Sequence, residues 1–349
     1  MINKSIKRTI AAFVLSLMIV NVIITCYNTY LIYKPDVFSQ ENNIFFSDNY
    51  LLGSSSILEN QNLSNLNQVD SLNLTVLSDN YPNGGLSTLW GLSILIETDN
   101  LTVLIDTGQA YSTLRDNSLF LNKNLSKVDF VVISHEHIDH VGGLSYVAEV
   151  NPGVTVFVPS LMDSQIFDSI NQSGLNIIKI NETTIIQNGF AIIGELNGNP
   201  YEQALVVNVK DVGLVIFVGC SHPGVEDLIE KASTELGYNP YMVIGGFHML
   251  YASEQEIQNT IERLIELGVK RIYPIHCSGI NFRHYMSEHY PQQYGRGNVG
   301  FQLTINKFTI TTPINSVPIS IYTLIVGIII SITVLTGWVI KKKKVIKRA

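Results

Sequence analysis

Residues Ser134-His135-Glu136-His137-Ile138-Asp139-His140 place three imidazoles and two carboxylates within six consecutive positions. Crowding that many titratable groups together is costly unless something binds them. Neutral imidazole and carboxylate are good donors for Zn²⁺, and also for iron or manganese. In an extended segment the side chains at i and i+2 point the same way, so His135 and His137 can grip one ion. A turn after Ile138 then lets Asp139 and His140 project toward a second ion nearby. Two cations sharing a water lower its pKa toward neutrality and supply a nucleophile, which Asp139 can hold and orient.

Such a loop needs a rigid element on each side. Residues 128–133 before it are apolar and β-branched, the mark of a buried strand, and residues 141–150 after it read as a helix. Similar short apolar runs bounded by Gly, Asn or Asp lie at 93–97, 102–106, 154–159, 204–209, 214–218, 242–244 and 271–274. Helices are expected at 225–236 and 254–267, the second ending at Gly268, a natural C-terminal stop. Strands in runs at both ends, with helices interleaved, predict a layered α/β domain over residues 72–313.

The string His135-x-His137-x-Asp139-His140 resembles the metal-binding signature of the metallo-β-lactamase superfamily. The resemblance implies a four-layer αβ/βα sandwich with two divalent cations, zinc first and iron or manganese as alternatives, at the rim of two facing sheets. Leu104-Ile105-Asp106-Thr107-Gly108 is similar to the family's early strand, whose Asp supports the metal loop by hydrogen bonding. Four further strings occur in order: Trp90-Gly91-Leu92-Ser93-Ile94-Leu95-Ile96, Gly219-Cys220-Ser221-His222, Gly245-Gly246-Phe247-His248 and Pro274-Ile275-His276-Cys277-Ser278-Gly279. Together they resemble the subgroup of 7,8-dihydropterin-6-methyl-4-(β-D-ribofuranosyl)aminobenzene-5′-phosphate synthases. The likeness implies that His222 completes the donors of the first cation and His276 those of the second. Cys220 stands where many members carry a bridging Asp; its thiolate either bridges or packs beside the ligands. His248 is a candidate for proton transfer or substrate contact, or a His facing solvent at a strand end. His284, Arg283 and His289 lie in a polar, aromatic segment that reads as surface, or as a lid in which Arg283 or Arg296 meets an anionic group.

Only 15% of the 349 residues are charged, against about a quarter in an ordinary globular chain, and two apolar segments account for much of the deficit. Residues 319–340 form an apolar run followed at once by Lys341–Lys344, and roughly 20 such residues cross a bilayer. Residues 10–24, preceded by Lys4, Lys7 and Arg8, are either an uncleaved anchor or a signal peptide. The expected organisation is a membrane segment over 1–38, an Asn- and Ser-rich flexible stalk over 39–71, the domain, a transmembrane helix over 319–340 and a basic tail over 341–349. Basic residues beyond both apolar segments put the chain ends in the cytoplasm and the domain outside it. The net charge of −7 argues against nucleic acid as a partner, leaving the membrane and a small-molecule substrate. Three functions are compatible with this pattern: a membrane-anchored metal-dependent hydrolase, a synthase of the pterin type, and a surface module that binds without catalysis.

Overall fold

The computed structural model describes residues 63–187, 189–307 and 310–311. Two sheets face each other. With β6 (Asn176–Ile180), β7 (Thr184–Gln187), β8 (Phe190–Asn197), β13 (Gln302–Asn306) and β14 (Ile310–Thr311) among their members, the first has eight strands in the order β14-β13-β1-β2-β3-β4-β5-β6 and the second six in the order β12-β11-β10-β9-β8-β7. The strands that matter for the site are β1 (Ser71–Ser78), β2 (Ser93–Glu97), β3 (Thr102–Ile105), β4 (Phe130–Val132), β5 (Thr155–Pro159), β9 (Tyr201–Val209), β10 (Gly213–Phe217), β11 (Pro240–Gly245) and β12 (Arg271–Pro274).

The layering follows from a period-2 pattern in which both faces are apolar. Leu72, Leu74, Val76, Ile94, Ile96, Val103, Ile105, Phe130 and Val132 point from the first sheet toward Phe190, Ile192, Leu205, Val207, Val215 and Phe217 of the second. Their alternates Leu77, Leu95, Leu104, Val131 and Ile133 point away and pack under α1 (Tyr111–Phe120), α3 (Leu144–Val150) and α4 (Ser164–Asn171). On the other side Ala204, Val206, Leu214, Ile216 and Val243 pack against α5 (Val225–Leu236), α6 (Glu254–Glu266) and α7 (Gly279–His289). The result is the layered α/β domain expected from the residues, in the two-sheet arrangement that the resemblance implies.

Strand direction gathers the chemistry on one edge. β3 and β4 are parallel, and β1, antiparallel to β2, runs the same way as β3. In the second sheet β10, β11 and β12 are parallel to one another. The turns after β1, β3, β4, β10, β11 and β12 therefore emerge at the carboxyl ends of strands, where open α/β sheets place their ligands.

Two expectations about the elements change. The helix expected over 141–150 is two pieces, α2 (Ile138–Val141) and α3, because Gly142 and Gly143 press against the turn after β3. A Cβ on either would lie 2.1 Å from a carbonyl oxygen, that of Gln109 or Thr107. The stalk expected to reach residue 71 ends sooner. Leu66 is buried among the side chains under α5, its carbonyl accepts from the Asn208 Nδ2, and Val69 bridges to Val209. Among the described residues no helix is long and apolar enough to cross a membrane. The membrane segments expected at 10–24 and 319–340, residues 1–62 that hold the rest of the anchor and most of the stalk, and the basic tail at 341–349 lie outside the described residues.

Candidate metal centre

Six turns at this rim bring together every residue singled out for metal chemistry. His135, His137 and His222 offer one ligand atom each, and these atoms lie within 4.8 Å of one another. Asp139, His140, Cys220 and His276 form a second such group, and Cys220, His222 and His248 a third that overlaps both. Cys220 falls within the second and third of these groups, its Sγ 3.3 Å from His140 Nε2. Cys220 and Cys277 are both free thiols.

Hydrogen bonds aim the imidazoles. Ser134 Oγ donates to Asp106 Oδ2 at 2.7 Å, so at 2.9 Å it accepts from His135 Nδ1 and leaves His135 Nε2 with its lone pair outward. That nitrogen faces His137 Nδ1 at 3.1 Å. His140 Nδ1 donates to Asp106 Oδ2 at 2.6 Å, freeing its Nε2. His276 Nδ1 donates to Asn80 Oδ1 at 3.1 Å, and its Nε2 points at Asp139 Oδ2, 3.2 Å away. Asp106 therefore has the supporting role expected of it: it holds the Ser134 N–H and hydroxyl and the His140 ring together.

Two supporting carboxylates escaped the sequence reading. Glu202, fully buried at the start of β9, accepts from the backbone N–H of Ser221 and of His222, both at 2.8 Å, and so sets the turn that carries Cys220 and His222. Asp79, just past β1, accepts from His276 N–H at 2.9 Å. The available signal was a charged residue interrupting an apolar strand, at Glu202, and a polar Asp-Asn pair at a strand end, at Asp79-Asn80. Burial pushes the Asp79 carboxyl up to about 6 and the Glu202 carboxyl up to about 7, against the backbone N–H groups that pull both down.

The imidazoles divide electrically. Burial, reinforced by neighbouring imidazoles, holds His135 and His222 well below the usual histidine range, His222 at about 3, and burial lowers His137 too. Burial also pulls on His140, but Asp106 and then Asp139 outweigh it and raise the ring to about 9. Asp139 is held below the ordinary carboxylate range: burial acts against ionisation, and the His276 hydrogen bond and the His140 charge more than offset it. His248, beside His222 with ring centroids 4.4 Å apart, is raised by its hydrogen bond with the Cys277 thiol.

The residues fit divalent cations. His135 Nε2 and His137 Nδ1 are 3.1 Å apart, near the separation of about 3.3 Å that Zn–N bonds of about 2.0–2.1 Å in tetrahedral geometry set between ligand nitrogens. The Nε2 atom of His222 is buried without a hydrogen-bond partner, a state that a metal ligand has and a structural histidine avoids, and that of His276 faces the Asp139 carboxylate. Asp106, Ser221, His248 and His276 also carry φ between 50° and 59°, a left-handed conformation that costs side-chain-bearing residues free energy and clusters where function requires it.

Residues 91–166 match the family model described as the Metallo-beta-lactamase superfamily. The chain carries a metallo-β-lactamase domain. Around that domain the likeness extends further. The 7,8-dihydropterin-6-methyl-4-(β-D-ribofuranosyl)-aminobenzene-5′-phosphate synthase of Methanocaldococcus jannaschii is 28% identical over 289 aligned residues, covering 68% of this chain and 98% of the relative. Among solved structures, a metal-dependent hydrolase of the beta-lactamase superfamily superposes with a TM-score of 0.59 at 24% identity, covering 67% of this chain and 99% of its own. The metallo-beta-lactamase fold protein YhfI of Bacillus subtilis superposes at 0.50 with 16% identity, covering 68% and 100%. These superpositions establish the fold.

Three further residues singled out in the sequence, Arg283, His284 and His289, lie on α7. Arg283 is buried on α7, stacked over the Tyr81 ring at 3.9 Å, with Nη2 donating to the Gly297 carbonyl. It ties the turn after β1 to the segment after α7. His284 pairs with Glu288 and His289 stacks on Tyr285, both on the exposed face of α7.

Proposed function

We propose that the chain is a metal-dependent hydrolase. In this reading His135, His137 and His222 hold one cation, and Asp139, His140, His276 and Cys220 hold a second, with zinc favoured over iron or manganese. The observation that carries it is the pair of adjacent donor groups, each with bare nitrogens aimed inward, at one rim of the sandwich. Bound cations would polarise a carbonyl or phosphoryl oxygen and acidify a water.

The chain's own residues supply the rest. Asp139 Oδ2, held ionised, is 3.2 Å from His276 Nε2 and 3.6 Å from His140 Nε2, close enough to orient a nucleophile and accept its proton. The His248 imidazole, with its pKa raised through Cys277, is the group placed to return a proton to the leaving atom. The test is elemental analysis followed by a panel of phosphodiester, lactone and thioester substrates. Stoichiometric metal with turnover that disappears in His137→Ala supports the reading. A metal-free protein after reconstitution would leave only a binding module.

One observation favours a second reading, a transferase of the synthase type: the match to the M. jannaschii synthase spans 98% of that relative. The same donor groups would serve it, with an aminobenzene ribofuranosyl phosphate and a dihydropterin in place of water and ester. Formation of a condensed product from those two compounds, with no turnover on the hydrolytic panel, would replace the first reading by the second.

A membrane-anchored, outward-facing domain with cytoplasmic chain ends is supported by the apolar segments at 10–24 and 319–340 and the basic residues outside them. Reporter fusions after residue 70 and at residue 349 test it. An outward-facing domain would also keep cytoplasmic pterin intermediates from reaching the donors.

A further inference from the structure

Trp90 belongs to one of the strings singled out in the sequence, yet the chemistry above gives it no part. Its side chain is 40% exposed, while its backbone is held fast. The N–H of Leu92 donates to the Asp139 carbonyl at 3.1 Å, and the N–H of Gly108 to the Leu92 carbonyl at 2.8 Å. Gly91 between them has φ of +145°, and a Cβ there would lie 2.6 Å from the Asp139 carbonyl oxygen. The indole is thus presented from a backbone locked to the metal loop, with its ring centroid 5.0 Å from that of His276 at a 55° tilt. Two more large apolar residues adjoin these in sequence and are exposed: Ile138, between His137 and Asp139, at 61%, and Leu89, beside Trp90, at 38%.

Single exposed hydrophobic residues are ordinary. A tryptophan fixed beside the reacting groups, with apolar neighbours at the same rim, is different. Its ring is already ordered, so a partner ring gains stacking and buried area at little cost in side-chain entropy. A polar or aliphatic substrate would leave that indole in water.

We propose that Trp90 is a specificity-determining residue that stacks on an aromatic or heteroaromatic ring of the substrate, setting the electrophilic centre attached to that ring over Asp139 and His276. The proposal deepens the metal-dependent reading and rests on it, whether the acceptor is water or a second substrate.

Phenylphosphonate and methylphosphonate carry the same anionic head and differ in the ring. Their affinities for the full-length, metal-loaded protein are compared by calorimetry. In a Trp338→Phe background, which removes the chain's other tryptophan, Trp90 emission reports contact directly. Phenylphosphonate is expected to bind about tenfold more tightly, roughly 1.4 kcal/mol, and to perturb the emission. Trp90→Ala should bring phenylphosphonate down to the affinity of methylphosphonate, and Trp90→Phe should keep most of the preference. Metal stoichiometry in each variant verifies that the centre is intact. Equal affinities in the wild type, or a phenyl preference that survives Trp90→Ala, overturn the proposal. So does failure of both phosphonates to bind; if two cations are still held and turnover is seen, the metal-centre reading stands without the ring platform.

Discussion

In the group formed by His135, His137 and His222 every donor is an imidazole, each held below its ordinary pKa by burial. In the neighbouring group of Asp139, His140, Cys220 and His276 the donors are mixed. A carboxylate and a thiol stand among the rings, Asp106 backs His140, and Asp79 and Asn80 fix His276. The first group is therefore neutral and already in the protonation state that a cation requires. The second carries negative charge and keeps a proton on His140. Metal ions at the two would do different work: one held by soft neutral donors, the other in a field that steers a nucleophile at Asp139.

The largest expected effect tests whether the second group is the chemical one. Asp139→Ala removes the carboxylate between His140 and His276, and turnover should fall about 10³-fold, the worth of several kcal/mol of lost orientation and charge stabilisation. Two cations should fall to about one by elemental analysis. Equal loss of both ions would mean that the groups act as a single unit and that their contrast has no functional content.

Next in size is Asp106→Asn, which keeps the shape but weakens the charge behind His140. A partner of this kind is worth about 10–100-fold in metal affinity, read by competition with a chelator. The loss should be larger at the second ion, since His140 bonds Asp106 directly whereas His135 reaches it only through Ser134.

The pH dependence of loading should separate the groups further. His140 is raised to about 9, so at pH 7 it is protonated, and a cation entering the second group must displace that proton. Affinity there should drop about a hundredfold for each unit that the pH falls below about 9, with two protons released per ion, one from His140 and one from the Cys220 thiol, whose pKa its hydrogen bond with Cys277 raises. The first group, with His222 at about 3, should release none at neutral pH. Calorimetry in buffers of different ionisation enthalpy counts the protons. Equal release at both groups would contradict the electrical contrast.

How legible this was in the sequence depends on what a residue has to do. The donors were legible because they sit in short strings at strand ends, and β2 and β12 were bounded to the residue because their neighbours are turn formers. The carboxylates behind the donors were not, because they act across the fold: Asp79 and His276 are 197 positions apart. Helix α1 was hidden by its own packing. The face it buries is largely polar, with Thr113, Asn117 and Ser118 beside Leu114, and Asn117 Nδ2 donates to the Leu77 and Ser87 carbonyls. Helix α7 hid for a related reason. Its buried stripe of Gly279, Phe282, Arg283 and Met286 has helical spacing but includes a glycine and an arginine, so it resembled a surface segment. Apolar periodicity finds helices that bury hydrocarbon and misses those that bury hydrogen bonds.

The smallest expected effect lies outside both donor groups, at the end of the turn after β11, and supplies the control that the contrast needs. Helix α6 begins with a reciprocal cap: Ser253 Oγ accepts from the Glu256 N–H, and the Glu256 carboxylate accepts from the Ser253 N–H at 2.7 Å. The apolar stripe Ile257, Ile261 and Leu264 behind that cap packs on the second sheet's outer face, opposite the layer that carries the metal loop. Ser253→Ala removes the hydroxyl acceptor and should cost about 1 kcal/mol of stability, measured by chemical denaturation of the metal-free protein. Metal content and affinity should stay as in the wild type, because the cap closes the turn after β11, which carries His248 but none of the donors of the two groups. A variant that lost a cation as well as about 1 kcal/mol would show that donor geometry follows global stability. The losses in Asp139→Ala and Asp106→Asn could not then be assigned to one group or the other.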